Sequence, residues 1–122
     1  MKVHSIYFIG YEGKVEWRIL RVNRLEEILE IDVVLSQSDN QTSHRLNMSF
    51  AEYDSFAHDF LTVHEQLRGS ATYTQADFHM TLTYHRLGHV SIELGWKSQH
   101  TMTLQSDQSY LGRALASIGV YT

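Results

Sequence analysis

Two runs of unbroken alternation face each other between residues 78 and 96, and few folds accept them. Phe78, Met80, Leu82 and Tyr84 alternate with His79, Thr81, Thr83 and His85, while Val90, Ile92, Leu94 and Trp96 alternate with His89, Ser91, Glu93 and Gly95. A side-chain period of two belongs to a half-buried strand, and residues opposed across an antiparallel pair must share a face. Tyr84 is therefore expected opposite Val90. That leaves Arg86, Leu87 and Gly88 as a three-residue turn, with glycine last, where positive φ is preferred. The stretch HTMTLQ (100–105) supplies a third strand, placing Met102 and Leu104 beside Leu94 and Ile92. An antiparallel meander follows, with one apolar face and one of Thr, Ser, His and Glu.

The same period governs most of the chain. Residues 3–9 and 14–22 read as strands around the turn GYEG, and Leu29, Ile31, Val33 and Leu35 line one face of a third strand. SQSDNQTS reads as a loop by composition, after which Leu46, Met48 and Phe50 resume the alternation. From about residue 52 the period becomes 3.6: Phe56, Phe60, Val63 and Leu67 form one stripe of a helix over 53–68, with Gly69 in the place of a C-terminal cap. Leu111, Ala114, Leu115 and Ile118 repeat the pattern, and Ser106 or Asp107 stands where an N-cap belongs. The expected fold is one α+β domain over 1–122: a curled, mainly antiparallel sheet of about six to eight strands with two helices on its apolar face.

Composition narrows the function. At 122 residues and 43% hydrophobic the chain suffices for a single buried core, and its lack of cysteine removes disulfides, thiolate nucleophiles and zinc ribbons together. No apolar run approaches the roughly 20 residues of a membrane span, and the start is a poor secretory signal, so a cytoplasmic protein is expected. A net charge of −4 argues against nucleic acid and allows a basic partner.

Eight histidines raise the question of a metal. The register sets His85 opposite His89 on the polar face, near enough to share an ion, but Glu93 lies two cross-strand pairs away and no third ligand follows. No metal and no cofactor are expected. His4, His44 and His100 have the parity of core-edge positions. Glu26, Glu30 and Asp32 share a parity that solvates one strand face. No phosphate loop, G-x-S-x-G or H-E-x-x-H is present. The residues give no reason to expect an enzyme.

LNMSFAEYDSFAHDFLTVHEQLRGSATY, FHMTLTYHRLGHVSIELGW and MTLQSDQSYLGRAL follow one another in the C-terminal part of the chain. Their order and spacing resemble the WapI-like family of small bacterial immunity proteins. There a strand leads into a helix with spaced Phe and Leu, then Gly-x-Ala, a hairpin with glycine at its turn, and a strand ending in Asp-Gln-Ser/Thr-Tyr-Leu. Phe56, Phe60, Leu67, Gly69, Ala71, Gly88, Asp107, Gln108, Ser109, Tyr110 and Leu111 carry these features here. The resemblance implies a non-catalytic protein that neutralises a cognate toxin, often a nuclease delivered by neighbouring bacteria, by occupying its active surface. The alternative is a small-molecule-binding or scaffold domain.

The candidate partner surface is the second stripe of the first helix, Asp54, His58, Leu61 and Glu65, where an outward leucine stands among acids. The alternative binding face is the polar side of the meander, at Thr81, Thr83, Glu93 and Thr103.

Overall fold

The computed structural model describes residues 4–96 and 101–119. Four strands come first, β1 (His4–Ile9), β2 (Gly13–Asn23), β3 (Ile28–Gln37) and β4 (Asn40–Ser49), forming one sheet in the order β1-β2-β3-β4. Helix α1 (Phe50–Gln66) leads to a second sheet, β5 (Gly69–Gln75), β6 (Phe78–Tyr84), β7 (His89–Trp96) and β8 (Met102–Asp107), again in chain order, and α2 (Gln108–Ser117) follows. Every pairing is antiparallel. The protein is thus α+β, with its eight strands divided into two sheets by the change of period at α1.

The inner faces of the two sheets meet in one core. Trp17 of β2 directs its indole N–H at the sulfur of Met80 on β6 and lies 6.3 Å from the Tyr73 ring of β5. His44 of β4 stacks on Phe78 and Trp96, 5.6 and 5.4 Å away. Helix α1 adds Phe56 and Phe60 to the rings of Phe8 and Trp17. Burying an aromatic side chain of this size contributes on the order of 3 kcal/mol. Helix α2 lies along β1, burying Leu111, Ala114 and Ile118 at its boundary with the core.

The register read from the sequence is the one observed: Tyr84 faces Val90, Ile92 faces Leu104 and Leu94 faces Met102. At the turn Gly88 has φ +80°, and Leu87 shares the left-handed conformation at φ 62°. His89 N–H donates to the Arg86 carbonyl, and His85 N–H to the His89 carbonyl at 2.7 Å. Leu87 and Gly88 therefore make the turn proper, with His85 and Arg86 together opposing His89 as a bulge that preserves the pairing beyond it.

Four local expectations are corrected. SQSDNQTS is no loop: Gln37 pairs with Asn40 and Ser36 with Gln41, and only Ser38 and Asp39 turn. That hairpin end is polar because residues 40–43 are all exposed, so neither of its faces has a core to meet. Helix α1 starts at Phe50, where Ser49 and Glu52 form a reciprocal capping box, with Glu52 N–H to Ser49 Oγ and Ser49 N–H to Glu52 Oε1 both at 3.0 Å. Leu67 is not on the buried stripe: it is the C-cap itself, left-handed at φ 56° and 41% exposed, because the helix unwinds one residue before it. Gly69, expected as the cap, opens β5 at φ +95°, where a Cβ would stand 3.3 Å from Val63 Cγ1.

Candidate functional site

Apart from its histidines, the charged side chains of α1 are all acidic. The helix carries Glu52, Asp54, Asp59 and Glu65 and contains no lysine or arginine. Of the expected partner stripe, His58, Leu61 and Glu65 face solvent, and Leu61 is 42% exposed. Asp54 does not belong to that surface, for it is 7% exposed. In the same turn of the helix the Tyr53 hydroxyl donates to the Ile118 carbonyl, just beyond the end of α2, at 3.2 Å. The stripe opens only from His58 onward, where His58 Nδ1 lies 2.9 Å from the Asp54 carbonyl one turn earlier.

Beside Leu61 runs a mainly apolar groove of about 230 Å³ between the helices. Ala57, His58 and Leu61 form one wall, and Leu115, Ala116 and Ile118 the other. Its volume falls below the roughly 300–1,000 Å³ of drug-sized ligand sites. It has the proportions of a seat for one or two side chains of a partner.

The alternative face is a plain of hydroxyls in register. Thr72, Thr81, Glu93 and Thr103 form one row across the second sheet, and Ser70, Thr83, Ser91 and Gln105 the next. The hydroxyls bond one another, Thr72 to Thr81 at 3.1 Å and Ser70 to Thr83 at 3.2 Å, and His79 Nε2 reaches Glu93 Oε1 only at 4.0 Å. The four bonded hydroxyls satisfy one another.

His85 and His89 take different partners. His85 Nε2 is 2.8 Å from Ser91 Oγ, and His89 pairs across the sheet with Asp107. Among the described residues no three His, Cys, Asp or Glu side chains gather at metal-binding distances. His4 is exposed, against its expected core-edge place, because β1 begins beyond the core, and its Nε2 lies 2.9 Å from the Ser117 carbonyl. His44 does lie half-buried at the core edge, and His100 lies outside the described residues. Glu26 sits in the β2–β3 turn, its N–H bonded to Asn23 Oδ1, whereas Glu30 and Asp32 both receive Arg45.

Asp107 caps α2: its Oδ1 accepts the Ser109 N–H and the Ser109 hydroxyl, each at 2.9 Å. The Ser109 backbone bond is the main reason its carboxyl is held below the usual aspartate value. Ser106, the other candidate cap, is buried and donates to the Ile9 carbonyl instead. Of the remaining family-like positions, Phe56, Phe60, Ala71 and Leu111 are core residues, Gln108 packs over Gly88, and Tyr110 is 43% exposed.

On the outer face of the first sheet two arginines stand in ion pairs. Arg18 meets Glu16 at 3.1 Å, and Arg45 meets Glu30 and Asp32 at 2.7 and 2.9 Å. Burial pushes the Glu16 carboxyl up, but the bonds from Arg18 and Ser5 outweigh it and leave the group lowered.

No family model, curated protein or solved structure matches the chain. Among the described residues no helix is long and apolar enough to cross a membrane.

Proposed function

We propose that the protein is a non-catalytic cytoplasmic binding protein of the immunity type, which neutralises a cognate bacterial toxin by covering its working surface. The observation that carries this reading is the open part of α1, where Leu61 borders an apolar groove on a helix whose exposed carboxylates are Glu52, Asp59 and Glu65 and which has no lysine or arginine. An apolar anchor with an acidic rim suits a basic protein surface, as a nuclease presents to hold phosphates. The family resemblance along 46–115 points the same way. The small groove and the self-satisfied hydroxyl face weigh against the alternative, a small-molecule-binding or scaffold domain.

The test is co-purification of the tagged protein with the product of the reading frame adjacent to its gene, followed by a growth assay with both expressed. Capture of a protein that arrests growth alone and not in company supports the proposal. Growth arrest that this protein does not relieve overturns it.

A further inference from the structure

Two tyrosines that the fold leaves exposed meet at the first turn of α2, apart from the α1 groove, and an exposed leucine tips the hairpin that abuts this turn. Tyr110, 43% exposed, lies in that turn, and Tyr11, 50% exposed, meets it edge to face with ring centroids 5.2 Å apart and planes at 85°. Leu87, 93% exposed, tips the β6–β7 hairpin, which abuts the same turn through Gly88, where a Cβ would stand 3.2 Å from Gln108 Cγ.

Backbone contacts fix the turns that carry Tyr11 and Leu87. Tyr11 N–H donates to the Gln105 carbonyl at 2.9 Å, and a Cβ on Gly10 would approach that oxygen to 2.9 Å, so the β1–β2 turn presses on β8 closely because residue 10 lacks one. Leu87 is fixed at φ 62° and ψ 26°, a conformation that glycine adopts without strain and a leucine does not. The fold draws almost no burial from that leucine, so a strained backbone and an exposed apolar side chain coincide without a packing reason.

A carboxylate stands beside the rings, with Arg113 one helical turn beyond Tyr110. Asp107 turns Oδ1 to Ser109 and leaves Oδ2 toward the Tyr11 hydroxyl, 3.5 Å away, and Glu12 follows Tyr11 in the same turn. These carboxylates offset the positive end of α2. Arg86 shares the hairpin turn, so the rim suits one cation better than a basic tract.

We infer that this corner receives an arginine side chain of a partner protein, its guanidinium against the Tyr11 and Tyr110 rings and Asp107, and an apolar neighbour of that arginine on Leu87. A guanidinium is the cation that stacks on aromatic rings and matches a carboxylate at once. Rigid tyrosines with an adjoining leucine are the make-up of an interface anchor. The inference does not depend on the partner being a toxin.

The test titrates the full chain with acetyl-Leu-Arg-amide and with acetyl-Leu-Glu-amide to about 20 mM, where contacts of this size register. Amide resonances of residues 11, 87, 109 and 110 are followed. The arginine probe should shift them saturably and the glutamate probe should not. Asp107→Asn, which keeps a capping oxygen, and Tyr110→Ala should each weaken binding by about two- to fivefold, the scale of one exposed contact of this kind. Leu87→Gly should raise Tm and weaken the probe together. No saturable shift, equal response to both probes, or undiminished binding by Asp107→Asn and Tyr110→Ala overturns the site.

Discussion

The indole N–H of Trp17 is directed at the sulfur of Met80, 3.2 Å away, joining the first sheet to the second through a fully buried donor. Sulfur is a weak acceptor, yet a buried N–H without one forfeits its desolvation. Met80→Leu, nearly conserving volume, should cost about 1–3 kcal/mol, towards or above the upper end of such exchanges. Adding Trp17→Phe removes the stranded donor, so the double variant should cost less than the sum of the two single changes in urea denaturation. Strict additivity would mean the N–H is not stranded by the first change.

Asp107 makes the start of α2 sensitive to acid. Its carboxyl is lowered from 3.8 in the folded protein, so its stabilising effect is complete above that value and is lost as pH falls through the folded value. Asp107→Ala should reduce Tm by about 2–5 °C at neutral pH, and the gap from the unaltered protein should close in strong acid. An equal gap at every pH would assign the loss to something other than the charged cap.

Leu61 and Leu67 are almost equally exposed, 42% and 41%, but differ in backbone. Leu61 lies inside α1, whereas Leu67 is left-handed at φ 56°. Leu61→Gly should cost about 1 kcal/mol and Leu67→Gly close to nothing, since glycine at the second site relieves strain. Thermal unfolding of the two variants decides this; equal losses would contradict it.

Once a partner is in hand, Leu61→Arg with Glu65→Lys should leave Tm within about 2 °C, since both side chains are exposed. The same pair should weaken binding at least about a hundredfold, the loss of an anchor with reversal of its rim. Undiminished binding would move the partner surface to the hydroxyl face around Thr81, Thr83, Glu93 and Thr103.

The pairing of Tyr84 with Val90 is legible in the sequence because a slip of one residue would bury His85 and His89. The hairpin over 36–43 is illegible by the same logic, since it buries neither face and so has no alternation to read. The start of α1 was open to view in the spacing of Ser49 and Glu52, a capping signal obscured by the strand pattern ending at Phe50. At the partner surface, helical period groups Asp54 with His58 and Leu61, but it cannot say that tertiary packing buries Asp54 and leaves the other two exposed. Tyr11 and Tyr110 belong to elements at opposite ends of the chain, and only the fold brings them together.

Each sheet is a meander of consecutive strands, but the ties that complete the molecule join its first strand to its last elements: Ser106 to the Ile9 carbonyl, His4 to the Ser117 carbonyl, and α2 along β1. On the ribosome, β1 to β4 emerge and can zip long before α2 does. During that interval β1 is an uncovered edge carrying Ile6 and Phe8, open to the matching strand of a second nascent chain. Helix α2 follows all eight described strands in the chain, so the cover that it lays along β1 arrives after the strand it protects.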